Sequence, residues 1–385
     1  MDRRFPLIKS TPSLPMNSSR MKKYNKDNLI ENSPLRLGAA NSIKGSRNFS
    51  VSPNPAHYQN GPKLPPIINP YEAPAFIPII HDPLSKLQAS RRTISNQISS
   101  QEPNNVVIKY YLKFKTGSMM GIPKEQNQDS YIIQSPLFSN KAKHFFAICD
   151  GHGTEGHTVS RLIKATITPI LEKKLLRFVG IDALKFAIDE TCQNVLHGRF
   201  DCSFSGSTFV GVLIIGDTLL CANIGDSKAV IGSIINNSCT AVELTKDHKP
   251  NRKDEADRII LHGGRIASHD QGGPLRIWFK DQNIPGLAMT RSVGDKASRL
   301  IGLISDPEIV ERKLISTDKF IVIASDGLWE FVTPRDAVEI VHNSMILGKS
   351  EGACERLMRE AVIRWNANSA SVDDITIIII FLNAM

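Results

Sequence analysis

Apolar and polar positions along this chain fall into two kinds of run, broken by turns that carry glycine and aspartate. VVIKYYLKFK, beginning at Val106, alternates with the period of two that a strand requires. Short, almost unbroken apolar runs at 145–149, 206–215, Thr218–Ile224, Lys228–Ile235, 319–325 and Ile375–Leu382 read as further strands, with a brief one at 130–134. Val159, Leu162, Ile163, Ile167, Ile170 and Leu171 recur every three to four residues and predict a helix after 156. Further helices are expected at 181–196, 334–347 and 351–365, with another entered at Pro250 and stopped by Gly263-Gly264. Gly216-Asp217 and Gly225-Asp226 read as the turns of hairpins joining the strands between 206 and 235. Residues 265–285, rich in Gly, Asp and Gln around Ile277-Trp278-Phe279, read as a flap. Strands dominate and the helices come in antiparallel-compatible pairs, so an α+β sandwich fits better than a doubly wound parallel sheet.

Charge and composition set the borders of that body. The chain has 385 residues, long for one domain and short for three. Residues 1–105 hold 14 Lys and Arg against 6 Asp and Glu, a net +8 out of +9 for the whole chain, so the basicity belongs to this tail. The tail also holds 14 of the 22 prolines, with Ser and Asn filling most gaps. Such a segment cannot bury enough apolar surface to offset its ordering entropy, and 1–105 is expected to be disordered, with a single domain at 106–385. Thr11-Pro12, Ser33-Pro34, Ser52-Pro53 and Ser95 are candidate phosphorylation sites, and 71–84 is more apolar than its surroundings. Basic charge alone would suit nucleic acid or an anionic membrane, but no aromatic interleaving or amphipathic stripe accompanies it, so neither partner is assigned. Cys149, Cys192, Cys202, Cys221, Cys239 and Cys354 form no CxxC pair and read as reduced thiols of a cytoplasmic protein, with a nuclear location also compatible. No apolar run approaches the roughly 18 residues of a membrane span, and the N-terminus has no secretory h-region.

The chemistry lies where apolar runs stop. Asp150 ends the run at 145–149, Asp226 follows LLCANIG, Asp326 follows KFIVIAS, Asp373 precedes ITIIIIFL, and Asp129 leads the short strand at 130–134. One aspartate cannot hold a dication, but several delivered by strand ends to one edge of a core can. Gly151 and Gly153, without a Cβ, let the backbone turn beside Asp150 and approach a ligand closely. Oxygen donors without a His/Cys cluster suit Mg²⁺ or Mn²⁺ and not zinc. Cys149 lacks the phosphate-cradling loop of a thiolate enzyme and is assigned to the core.

The ordered motifs NQDS, DGHG, SGST, ANIGDSKAV, LTKDHKP, GLAMTRSVGD, ASDGLW and DDIT, spread over about 106–382, resemble the type 2C, metal-dependent protein serine/threonine phosphatases. The resemblance implies a central β-sandwich of two antiparallel sheets with helices on both outer faces, and two Mn²⁺ or Mg²⁺ ions at one edge. It implies that Asp150 bridges both ions, that the Gly151 carbonyl is a further ligand, and that Asp326 and Asp373 complete the direct set. Asp129 resembles a carboxylate that holds metal-bound water, Asp226 one that helps bind a weaker third ion, and His152 the general acid. The implied reaction is hydrolysis of phosphoserine and phosphothreonine in protein substrates, by direct attack of a hydroxide bridging the two ions, in a monomer. General principles agree, since paired hard ions lower the pKa of a shared water and clamp phosphoryl oxygens, and a histidine two residues on can protonate the departing oxygen.

Two departures stand out. Lys124 occupies the place of an arginine that anchors the substrate phosphate, giving charge without the planar fork. Gln128 stands where other members place a Glu. The Asp373-Asp374 pair leaves the register of the last ligand open, with Asp373 favoured. Asp295 is assigned to organising its loop, Ser207 and Thr208 to closing a turn, and His157, Trp278 and Trp329 to packing. The competing expectation is a catalytically weak or silent scaffold of the same fold that binds phosphoproteins.

Overall fold

The structure is a computed structural model that describes residues 105–269 and 273–383. The expectations for the tail therefore lie outside the described residues. Two antiparallel sheets carry the body. One runs Val107–Lys115, Ile375–Leu382, Asp318–Ala324, Lys228–Ile235, Ser238–Glu243 in spatial order. The other runs Val293–Gly294, Gly206–Ser207, Lys143–His152, Phe209–Ile215, Thr218–Ile224, Glu308–Lys313, with Asp129–Gln134 also paired to Lys143–His152.

The unbroken apolar runs are explained by burial on both faces. Every residue of Ile375–Leu382 is buried; Ile378, Ile380 and Leu382 join one apolar cluster, whereas Ile377, Ile379 and Phe381 join another. Lys143–His152 divides the same way, with Phe146 and Ile148 in the cluster that also holds Ile378, and Phe145, Ala147 and Cys149 in a third. The shared cluster takes residues from both sheets, including Val212, Ile214, Ile231 and Ile321. The third holds apolar positions of the helices Gly156–Leu175 and Gly180–Leu196, and the cluster around Ile377 holds those of Pro334–Ile346 and Ala353–Asn368. A strand with a core on each side has no polar face to show, so its period vanishes.

Most expected elements are present, with bounds shifted by a few residues. The turn at Gly216-Asp217 does close a hairpin, since Phe209–Ile215 pairs with Thr218–Ile224. The second expected hairpin does not exist. Lys228–Ile235 pairs with Asp318–Ala324 and Ser238–Glu243, so Gly225-Asp226 passes the chain from one sheet to the other. Two fully apolar strands joined by a tight turn suit either arrangement, and burial against distant partners decided it. The expected strand at 206–215 is interrupted at Thr208, where Gly206–Ser207 turns to pair with Val293–Gly294.

Ser238–Glu243 and Glu308–Lys313 went unforeseen because each is an outer strand with little buried side chain. The flap is more regular than expected: Gly264–Ser268, Leu275–Phe279 and Pro285–Leu287 form a three-stranded antiparallel sheet. Ile277 of this sheet packs with Ile259, Ile301 and Leu303. Trp278 is 4% exposed with Nε1 donating to the Ala267 carbonyl at 2.9 Å, and Trp329 Nε1 donates to the Ala324 carbonyl at 3.0 Å, so both tryptophans serve packing as expected.

Candidate active site

Strand pairing brings the first two carboxylates together without help from side chains. Asp129 and Asp150 lie directly opposite each other across the Asp129–Gln134 and Lys143–His152 pair. Asp129 then ties the two sheets at one edge: its Oδ2 accepts hydrogen bonds from Ser325 Oγ at 3.0 Å and Thr376 Oγ1 at 2.7 Å. Ser325 precedes Asp326, the first residue of a short helix, and Thr376 follows the Asp373-Asp374 pair by two residues. Asp226 enters from the sheet-to-sheet turn and is 2% exposed. Five aspartates from five separate segments therefore meet at one edge.

Their mutual repulsion is visible in their proton affinities. Burial, then the charges of Asp129, Asp326, Asp373 and Asp226, push Asp150 well above the usual carboxylate range. Burial, with Asp374 and Asp373 adding to it against hydrogen bonds from Thr376 and Ser325, raises Asp129 to about 7. Burial, then Asp226 and Asp373, raise Asp326 to about 8, offset in part by Lys249 and by a hydrogen bond with Asp150. Two lysines partly compensate. Lys124 Nζ contacts Asp373 Oδ1 and stands 3.6 Å from Asp374 Oδ2, while Lys249 Nζ contacts Asp226 Oδ2. Burial pulls each ammonium down, and the neighbouring carboxylates outweigh it and raise both. The site keeps buried oxygens without a hydrogen-bond partner: Asp129 Oδ1, Asp226 Oδ1 and Asp326 Oδ1. Such orphaned acceptors are costly unless a cation meets them, so the donor set fits a hard divalent ion.

The paired aspartates at 373 and 374 have different surroundings. Asp374 is 3% exposed and binds backbone, accepting from Gly117 N at 2.7 Å and Gln128 N at 2.9 Å. The Asp373 side chain is 42% exposed and accepts from Lys124. Lys124 thus lies against Asp373. Gly151 is wedged in place: a Cβ there would strike the Gly156 carbonyl and lie 2.7 Å from the Gln128 carbonyl. Thr208 braces the turn, donating its backbone N–H to Asp150 O at 2.9 Å and accepting at Oγ1 from Asp150 N at 3.0 Å. Burial raises the Cys149 thiol, keeping it unreactive.

Sequence reasoning missed the partner of His152. The Nε2 of His152 lies 2.6 Å from Oδ2 of Asp295, a carboxylate 0% exposed. Burial pulls the imidazole down, and the Asp295 charge and hydrogen bond outweigh it, leaving the pKa raised. The available signal was the Ser-Val-Gly-Asp turn itself, but nothing local says which histidine it faces.

A second ionic cluster lies in the described residues. His248, Glu255 and Glu308 bring one ligand atom each within 4.8 Å of one another, a spacing that no three of the predicted aspartates meet. Its carboxylates are already taken: Glu255 accepts from Arg258 Nη1 at 2.9 Å and Arg291 Nη2 at 2.7 Å, and Glu308 accepts from Arg252 Nη1 at 3.0 Å. Burial raises Glu255, and the bonds from Arg258, Arg291 and Thr290 outweigh it and hold its carboxyl well below the usual range. The cluster is therefore structural, anchoring the segment that leads to Asp295. Glu255→Ala is expected to destabilise the fold by roughly 3–5 kcal/mol, because it removes the buried carboxylate that two half-buried guanidinium groups share; urea unfolding measures it, and a loss under about 1 kcal/mol would show the cluster to be loosely held.

The fold and this carboxylate edge together define a protein phosphatase of the 2C type. The sequence profile described as protein phosphatase 2C matches residues 115–370, and the chain belongs to that family. Among similar proteins is one named "Probable protein phosphatase 2C 35" from Arabidopsis thaliana, 34% identical over 278 residues, covering 67% of this chain and 79% of the relative. Another, "Probable protein phosphatase 2C 73" from the same plant, is 34% identical over 292 residues, covering 68% and 77%. The solved structure of a serine-threonine phosphatase 2C from Toxoplasma gondii matches with a TM-score of 0.62 at 20% identity, over 71% of this chain and 94% of that one. That likeness shows the fold. No helix among the described residues is long and apolar enough to cross a membrane.

Proposed function

We propose that this protein is an active serine/threonine phosphatase that hydrolyses phosphoserine and phosphothreonine in protein substrates, using two Mn²⁺ or Mg²⁺ ions at the aspartate edge. The observation that carries this is the gathering of Asp129, Asp150, Asp226, Asp326 and Asp373 with orphaned buried oxygens. Such a set is unfavourable as a bare cluster and favourable around cations.

Asp150, the Gly151 carbonyl, Asp326 and Asp373 would hold the ions, with Asp129 acting through water and Asp226 toward a weaker third ion. When bound, the ions supply a hydroxide nucleophile near neutral pH and offset charge on the phosphoryl oxygens. The chain's own residues do the rest. Asp129, fixed by Ser325 and Thr376, orients solvent at the edge. Lys124, beside the half-exposed Asp373, meets the incoming phosphate as a point charge. His152 delivers a proton to the serine or threonine oxygen as the phosphorus–oxygen bond breaks. The two sheets, with a shared apolar cluster and helices beyond them, support the reading of a two-sheet sandwich with helices on both outer faces. Six free cysteines suit a cytoplasmic or nuclear compartment, and the chain is taken to act as a monomer.

Hydrolysis of a phosphothreonine peptide by the full chain, in Mn²⁺ and in EDTA, tests the proposal. Turnover is expected with the ion and loss of at least about 10²-fold in chelator. Equal rates in both would refute the metal-dependent mechanism, and tight peptide binding without turnover would favour the silent scaffold.

A further inference from the structure

Asp295 stands in a left-handed backbone conformation, which aspartate enters more readily than most residues with a side chain. Its φ is +44°, in the left-handed region where glycine is at ease. Several hydrogen bonds lock it there: Asp295 N donates to Ser205 O at 2.9 Å, Lys296 N to Cys202 O at 2.9 Å, and Ser298 N to Asp295 O at 2.9 Å. The carboxylate so placed is fully buried. Among the described residues no lysine or arginine forms an ion pair with it; its Oδ2 accepts from Ser292 Oγ and faces His152 Nε2 at 2.6 Å. A carboxyl group held out of water between one hydroxyl and one imidazole has a directional task. Gly206 completes the arrangement, since a Cβ there would strike Asp295 Oδ2 and lie 2.9 Å from His152 Nε2. The ring and the carboxylate are thus pressed together over a bare backbone.

We infer that Asp295 is a positioning residue for the phosphatase reaction: by taking the Nε2–H of His152 it fixes the ring and leaves Nδ1 as the nitrogen that carries the transferable proton. The inference rests on the proposed function of the aspartate edge. His152 Nδ1 is buried and has no hydrogen-bond partner, as expected of an atom kept for a group that arrives with substrate. In the reaction the oxygen of a water becomes bonded to phosphorus as the bond from phosphorus to the serine or threonine oxygen breaks. The Nδ1 proton passes to that leaving oxygen, and a proton released by the attacking water restores the imidazolium. Atoms and charge balance without a further reactant. A carboxylate behind Nε2 fixes the ring's orientation and tautomer, and its loss lets the ring turn.

A leaving-group comparison tests this on the full chain with Mn²⁺. Phosphothreonine needs a proton on its alkoxide as it departs, whereas p-nitrophenyl phosphate releases a stable anion. Asp295→Asn is expected to lower kcat on a phosphothreonine peptide by about 10²-fold and on p-nitrophenyl phosphate by no more than about threefold, with KM for both nearly unchanged. His152→Ala should show the same selectivity, and the double variant should be no slower than His152→Ala, because the two residues act as one unit. Mn²⁺ affinity by calorimetry should stay that of the wild type. Equal losses on both substrates, or losses that multiply in the double variant, would overturn the inference and make Asp295 a loop brace. Should Asp295→Asn fail to fold, Ser292→Ala removes the other bond to Oδ2 and must show a smaller loss with the same substrate selectivity, or the inference falls. A wild-type chain inactive on both substrates would instead sink the reading of the site as catalytic.

Discussion

Asp326→Asn is expected to lower kcat on a phosphothreonine peptide by on the order of 10²–10³-fold and, at the same time, to make the metal-free protein more stable. The two effects share one cause. Burial, with Asp226 and Asp373 beside it, raises the Asp326 carboxyl from an ordinary 3.8 to about 8. At pH 7 the folded chain must keep a proton there that the unfolded chain gives up, which costs the fold a few kcal/mol on an order-of-magnitude scale. Asparagine has the same shape and nothing to titrate. Without metal, its melting temperature at pH 7 should rise by roughly 5 °C, and the added stability that Mn²⁺ gives the wild type should shrink. Calorimetry with and without Mn²⁺, beside peptide turnover, reads both. A variant that keeps wild-type turnover would place Asp326 away from the reacting centre; a variant that melts earlier than the wild type in EDTA would make the carboxyl a structural group. The opposition of stability and activity is the usual mark of a site assembled for chemistry.

Metal-free protein should lose stability as pH rises from about 5 to 8. Asp129 at about 7, Asp326 at about 8 and Asp150 well above its ordinary value all bind protons more tightly folded than unfolded. Between the unfolded value near 4 and these folded values the native state holds more protons, so the slope of stability against pH is negative there. His152, also raised, adds to the same slope, since its contribution is present below its unfolded value and is lost as pH climbs. Glu255, held low, acts in the opposite sense only in stronger acid, and His248, pushed down to about 4 by burial, opposes the slope only below its ordinary 6.5. A divalent cation replaces the protons, so saturating Mn²⁺ should flatten the slope and stabilise most at pH 8. Melting temperatures in EDTA that stay level across this range would mean that the aspartates do not crowd one another as the geometry requires.

The carboxylates were legible because each sits where an apolar run ends, a local pattern that needs no knowledge of pairing. Asp150, Asp226, Asp326 and Asp373 could be named from that pattern, and the motif order gave them a common place. Partnerships were not legible. The chain's only hint for Asp295 was a Ser-Val-Gly-Asp turn, and its histidine lies 143 residues away. The distinction between Asp373 and Asp374 was equally hidden, since it depends on where the backbone of Gly117 and Gln128 arrives. The turn at Gly225-Asp226 was misread as a hairpin for a related reason: both flanking strands are apolar on both faces, so their composition carries no mark of which sheet they join.

By itself the sequence determined most of the strands and helices, the basic and proline-rich composition of residues 1–105, and the identities of the acidic residues. These follow from short-range causes: periodicity, turn chemistry and the cost of leaving apolar surface in water. Tertiary structure alone decided that the chain changes sheets at Asp226, that Lys124 and Lys249 answer two of the five charges, and that His152 is backed by a buried carboxylate. Each of those depends on groups far apart along the chain, and distances of a few ångströms between such groups are set by the packing of the whole core, which no local window of residues contains.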